Sequence, residues 1–143
     1  MDTSDETRIL PPGQRRIDRF PRFGTHLSKP PPAVPADPVL AIGGEVVEPT
    51  SVPVPDLAGL PRQELVADFH CVSGWTAVGV RWEGVPFRAF HEDVLCPLVR
   101  PGVTITHVVF EGLDGYRSTA LLEDVLGEDV LLSDRLDGGP LGP

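Results

Sequence analysis

Cysteine is scarce in this chain: Cys71 and Cys96 are the two in 143 residues. That is too few for the disulfide framework that staples small, loop-rich folds. A single bridge between them is disfavoured in a reducing compartment. No apolar run approaches the roughly 20 residues needed to span a bilayer, although 41% of the chain is apolar. The opening Met1-Asp2-Thr3-Ser4-Asp5-Glu6 is acidic and no apolar stretch follows it, so no signal peptide is expected. These absences predict a cytoplasmic protein without a membrane span. Positive charge is short as well. A formal net charge of −9 argues against nonspecific nucleic-acid binding, which needs a basic surface.

The cations that are present are concentrated. Arg8, Arg15, Arg16, Arg19, Arg22 and Lys29 stand against Asp18 alone, whereas from Pro30 onward six arginines face seventeen carboxylates. Residues 1–37 therefore read as a cationic arm, and the anion it meets is either a ligand phosphate or the acidic body itself. Its last part, 29–38, is proline-dense and predicts extended polyproline II. Residues 38–143 read as one domain, long enough for a core of ordinary size.

Within that body the pattern is α+β, weighted towards β, with no internal repeat. Strands are predicted over 39–47, with a bend at Gly43-Gly44, and over 52–54, 64–71, 78–82, 103–110 and 129–132. Residues 56–61 read as a one-turn connector. In 64–71 strict alternation puts Leu65, Ala67, Phe69 and Cys71 on one face, with Val66, Asp68 and His70 on the other. Residues 87–95 have helical spacing and Pro97 is expected to end the helix. Residues 121–126 predict a short helix ended by Gly127. Asp114-Gly115 and Asp137-Gly138 are hairpin-type turns.

The richest stretch is Asp68-Phe69-His70-Cys71-Val72-Ser73-Gly74-Trp75, followed by Arg81-Trp82-Glu83-Gly84-Val85-Pro86-Phe87. It sets a thiol at a strand end, just before a turn built from Ser73 and Gly74. Such a thiol can be a metal ligand, a nucleophile or simply a buried structural cysteine. Zinc is disfavoured: His70 and Cys71 are adjacent on a strand and point to opposite faces, and His91 and Cys96 lack the paired short spacing of zinc ligands. A cysteine hydrolase needs a base. The best-patterned candidate, His107, shares a face with Ile105 and Val109 and reads as a core histidine with no orienting partner. Cys96 and Trp82 read as core. Trp75 is balanced between core and pocket lining, and Tyr116 between site and surface. Glu92-Asp93, Glu123-Asp124 and Glu128-Asp129 read as solvated faces.

An ordered series of segments extends these observations. Leu10-Pro11-Pro12-Gly13-Gln14, Arg19-Phe20-Pro21-Arg22-Phe23-Gly24 and Ile42-Gly43-Gly44-Glu45-Val46 come first. The cysteine segment, Trp82-Glu83-Gly84-Val85-Pro86, Asp114-Gly115-Tyr116 and Leu136-Asp137-Gly138 follow. In this order they resemble the short bacterial members of the sulfite oxidase-like molybdopterin-dependent oxidoreductases, from Leu10 onward. The resemblance implies a sulfite oxidase-like fold and a molybdenum–molybdopterin cofactor, with the Cys71 thiolate as the protein ligand to molybdenum and the catalytic residue. It places Arg22, Phe23 and His26 against the pterin, with Ser73 and Trp75 also in the cofactor-binding set. It implies two-electron oxygen-atom transfer on a small oxyanion, sulfoxide or N-oxide. Since the chain shows no haem, flavin or iron–sulfur motif, electrons are expected to pass through a separate partner. Members of this family normally continue through a His-Gly-Ala-Pro-Leu-Arg-like segment and a Gly-Tyr-Lys segment. The sequence reads instead as a partial domain, ending at Gly139-Pro140-Leu141-Gly142-Pro143. The alternative expectation is accordingly a truncated, cofactor-free remnant, inactive or acting as an interaction module.

Overall fold

The longest ladder in the molecule joins β4 (Gln63–Cys71) to β5 (Trp75–Pro86), and the elements that frame the cysteine turn are attached to it. The computed structural model describes residues 8–21, 28 and 30–141. β4 alternates as its sequence predicts, but β5 does not run regularly. Opposite Asp68, β5 carries two residues, Val78 and Gly79, and this bulge shifts its alternation by one. Gly79 adopts φ +65° and donates its N–H to the Asp68 carboxylate at 2.9 Å. A glycine serves here because the left-handed backbone carries no Cβ penalty.

On its other side β5 holds two neighbours in succession. β1 (Arg15–Arg16) pairs in parallel with its start, and β8 (Leu131–Leu136) antiparallel with its end. β9 (Gly139–Pro140) turns back onto β8 through Asp137 and Gly138, whose φ values of +48° and +82° are those of a type I′ turn. Two small antiparallel hairpins complete the β structure, β2 (Val39–Ile42) with β3 (Thr50–Pro53) and β6 (His107–Glu111) with β7 (Arg117–Leu121). A 3-10 turn over Val54–Gly59 is the expected connector.

Helical structure follows β5 without a break: α1 (Phe87–Phe90), a π turn (His91–Leu95) and α2 (Cys96–Val99). Pro97 does not end the helix, contrary to the sequence expectation. Proline lacks an N–H, and its ring crowds the carbonyl four residues back. Here the preceding turn widens, so that the Cys96 N–H reaches the His91 carbonyl five residues back, and the helix runs on to Arg100 at φ +46°. α3 (Leu122–Val125) is short, as expected. The core gathers where these helices meet the sheets: Val52, Val85, Phe87, Phe90 and Val125 are buried together, with Leu40, Ile42 and Leu132 against them. Each buried phenylalanine contributes about 2–3 kcal/mol from area removed from water.

Two further expectations change. The strand predicted over 103–110 begins only at His107, and His107 is exposed, its Nδ1 2.8 Å from the Thr106 hydroxyl, so it is not a core histidine. The last long strand covers Leu131–Leu136 instead of 129–132. It contains one extra residue, Asp134, where the β5–β8 register shifts between Glu83 and Gly84.

Arg62 occupies this irregularity. It grips Asp134 with two nitrogens, at 2.5 and 3.1 Å, and Glu83 with Nε at 3.0 Å. The Arg62 guanidinium holds the Asp134 carboxyl below its ordinary value. A carboxyl depressed by folding contributes stability above its unfolded pKa, and that contribution is lost as pH falls through the lowered folded value. Arg62→Met is therefore expected to cost about 0.5–1 kcal/mol at pH 7, a modest figure because the groups are part-exposed. The difference from the unsubstituted chain should shrink below about pH 4. Urea denaturation of both chains at pH 7 and pH 3 checks this. An equal difference at both values would rule out the Asp134 pairing as its source.

Candidate functional site: the cysteine turn and its aromatic face

Cys71 closes β4 opposite Trp75, leaving a three-residue loop of Val72, Ser73 and Gly74. Such loops join a type I turn to one left-handed residue. Gly74 is that residue, at φ +87°, and its N–H bonds the Cys71 carbonyl at 3.0 Å. The thiol is half-buried beside an exposed loop, and its Sγ lies 2.9 Å from the Ser73 hydroxyl. Hydrogen bonds from the Ser73 hydroxyl and then the Ser73 backbone hold the thiol below its ordinary pKa. Both stabilise the thiolate, the form that ligates metals and attacks electrophiles.

The arm docks on this turn through its described residues. Arg15 donates its N–H to the Gly74 carbonyl at 3.0 Å and Ile17 donates to the Thr76 carbonyl at 2.9 Å. Gly13 comes so close that a Cβ on Gly74 would meet its carbonyl oxygen at 3.3 Å. Arg8 pairs with Asp68 at 2.8 Å, so part of the arm's charge meets the acidic body directly. Gln14 reaches between the strands: its Nε2 donates to the Cys71 carbonyl at 3.0 Å and its Oε1 accepts from the Thr76 hydroxyl at 2.9 Å. In the sequence Gln14 stands out only within the Leu10-Pro11-Pro12-Gly13-Gln14 motif, and no motif marks Thr76, the one fully buried polar side chain among the described residues. The available signal was a threonine placed to face His70 across a hairpin of known loop length.

Behind the thiol lies an aromatic face. The Phe69 ring stacks on Trp75 at 5.6 Å and meets Trp82 at 5.8 Å. Phe20, brought in by the arm, contacts Phe69, Trp75 and Trp82 edge-on at 5.6 to 5.9 Å. Edge-on and offset ring pairs each add about 0.5–1.5 kcal/mol beyond area burial. The β5 bulge makes this grouping possible. Trp75 and Trp82 are seven positions apart in the sequence, an odd offset that a regular strand would send to opposite faces. With the bulge, Trp75 stands across from Cys71 and Trp82 across from Leu65, so both share the cysteine face. Trp75 is buried, while Phe20 and Phe69 remain 39% and 40% exposed.

The other expected participants are distributed as follows. Ser73 and Trp75 flank Cys71, whereas Arg22, Phe23 and His26 lie outside the described residues. His70 turns to Thr76, with its Nδ1 2.9 Å from the hydroxyl, on the face away from the thiol. Cys96 is half-buried on the helix, its Sγ 3.6 and 3.7 Å from the ring nitrogens of His91. Tyr116 is exposed beside the β6–β7 turn. A shallow cavity of about 210 Å³ separates Arg16–Phe20 of the arm from Ala77, Val78 and Val80, and Cys71 does not line it. Among the described residues no helix is long and apolar enough to cross a membrane.

The sequence profile of the oxidoreductase molybdopterin binding domain family matches residues 26–143. The chain is 32% identical over 107 residues to the uncharacterized oxidoreductase YuiH of Bacillus subtilis (strain 168), covering 73% of this chain and 50% of YuiH. It is 29% identical over 102 residues to YedZ1 of Azospira oryzae, provisionally named a protein-methionine-sulfoxide reductase subunit, covering 71% of this chain and 37% of that protein. The matches thus span half, or less, of these relatives' length.

Proposed function

The chain belongs to the oxidoreductase molybdopterin binding domain family, and from that premise we propose that it reduces a small sulfoxide by two-electron oxygen-atom transfer, with Cys71 as its ligand to molybdenum. The observation that carries the reading is the state of the Cys71 thiol: presented at a rigid strand end and biased towards thiolate by Ser73. A soft, anionic sulfur is the donor that molybdenum takes in such sites. The proposal includes a sulfite oxidase-like fold around it and, outside the described residues, Arg22, Phe23 and His26 against the pterin.

When bound, the molybdenum–pterin group supplies the two-electron change and the exchangeable oxygen position. The chain's own residues do the rest. Cys71 would hold the metal, and the Ser73 hydroxyl, 2.9 Å from Sγ, would donate to that sulfur and temper the electron density it offers. The part-exposed rings of Phe20 and Phe69 offer the cysteine face an apolar surface that accepts the alkyl groups of a sulfoxide, and sulfur–aromatic contact adds to the attraction. A hydrated oxyanion finds no such complement there, and the net charge of −9 repels it at long range. The name of the Azospira relative points the same way. Overall, sulfoxide, two electrons and two protons yield sulfide and water. The two electrons come from a separate electron-transfer partner.

The test is the molybdenum and pterin content of the chain, expressed in a host that makes the cofactor, followed by turnover with a reduced viologen. Near one molybdenum per chain, with methyl sulfoxides turned over faster than chlorate or sulfite, is the expected result. Folded protein free of molybdenum would overturn the reading.

A further inference from the structure

We propose that Gln14 is a positioning residue for Cys71, an inference that rests on the reading of Cys71 as the ligand. The Cys71 carbonyl can only accept, so the Gln14 side chain must turn its NH₂ to it, across 3.0 Å. The Gln14 oxygen then faces Thr76 and must accept, which commits the Thr76 hydroxyl proton to it across 2.9 Å. The Thr76 oxygen is left to accept from His70 Nδ1 at 2.9 Å, which fixes the Nδ1–H form of that imidazole. Reversing the Gln14 amide would set two acceptors face to face. The chain His70, Thr76, Gln14, Cys71 therefore has one sense, and it terminates on the backbone of the residue that carries the thiol.

Its location makes the contact consequential. Thr76 is fully buried, so the anchor does not compete with water. The Cys71 carbonyl receives Gly74 N–H and Gln14 Nε2–H together, which ties the loop carrying Sγ to the arm. Gln14 is itself held by its own N–H to the Pro11 carbonyl at 3.1 Å and by the parallel pairing of β1 immediately after it. The arm thus reaches the cysteine strand end from the neighbouring edge of the sheet, where β1 pairs with β5.

The test uses the full chain and follows amide hydrogen exchange by NMR at Gly74, whose N–H bonds the Cys71 carbonyl, with Val85 of the central ladder as reference. Gln14→Ala and the isosteric Gln14→Glu should each accelerate exchange at Gly74 about tenfold, the size of one lost hydrogen bond, and leave Val85 unchanged. Thr76→Val should reproduce the effect, and Thr76→Ser, which keeps the hydroxyl, should reverse it. In metal-loaded protein the Mo(V) EPR line should broaden in the same variants and sharpen again in Thr76→Ser. Unchanged Gly74 exchange in folded Gln14 variants overturns the proposal, as does acceleration shared equally by Val85. Molybdenum missing from the unsubstituted chain, with Gly74 responding as expected, overturns the functional reading instead and leaves the hold of Gln14 on the strand end established.

Discussion

Replacing Cys71 with serine is expected to lower the molybdenum content of cofactor-loaded protein roughly tenfold or more, with the fold unchanged. The two side chains differ by one atom, but a thiol gives up its proton far more readily than a hydroxyl and binds as a soft anion, whereas a serine hydroxyl stays protonated and is a harder donor. Ser73 is already arranged to stabilise negative charge on Sγ, and that preparation is lost on a neutral hydroxyl. The backbone of residue 71 keeps its bonds to Gly74 and Gln14 whichever side chain it carries. The thiol is only half-buried, so the melting temperature should move by no more than about 2 °C. Metal per chain by plasma mass spectrometry, beside a thermal melt, reads both halves. Cys96→Ser provides the control, since that thiol sits on the helix beside His91, and it should retain metal. Undiminished molybdenum in Cys71→Ser would end the assignment of the ligand.

Gly84→Ala is expected to be strongly destabilising. Gly84 is buried in β5, where the ladder to β8 changes register, and a Cβ built there would clash with the Leu132 carbonyl and lie 2.6 Å from Ser133 Cα. The obstructing atoms are backbone on a paired strand, so they cannot rotate away as a side chain would. Relief requires β8 to move off β5, which would disturb Val85 and Leu132 in the core. We expect a loss of at least about 3 kcal/mol, in the range of buried backbone disruptions, and a melting temperature lower by about 10 °C. Should the variant be insoluble, its partition into the pellet on expression reports the same loss. Gly43→Ala is the matching control: nothing lies within 4 Å of its added methyl, so stability should hold or rise by a few tenths of a kcal/mol. A loss under about 1 kcal/mol in Gly84→Ala would mean that β8 does not pack against β5 in this register.

Much of this molecule is visible in its amino acids because local chemistry specifies it. The Asp137-Gly138 turn was legible because these residues tolerate positive φ at adjacent positions, and both adopt it. The cysteine turn was legible because Val72-Ser73-Gly74 ends in a glycine, which takes the left-handed position at least cost. The alternation of β4, the connector after β3 and the short α3 follow from the same local preferences. Pro97 misled because its steric demand was met by widening one turn, a remedy that the packing of the flanking helical residues sustains. His107 misled because alternation identifies a strand face without saying whether anything covers it.

By itself, then, the sequence determined the alternation of β4, the Asp137-Gly138 turn, the helix start at Phe87 and the family, all of which depend on neighbours along the chain or on an ordered series of motifs. Only the tertiary structure decided that Trp75 and Trp82 share the face of Cys71, because a bulge opposite Asp68 reverses the alternation between them. It alone brought Phe20 and Gln14 to the cysteine strand, across more than fifty residues. The physical reason is common to both. A bulge and a docked arm are stabilised by partners distant in sequence, and local propensity carries no information about which partner will be there.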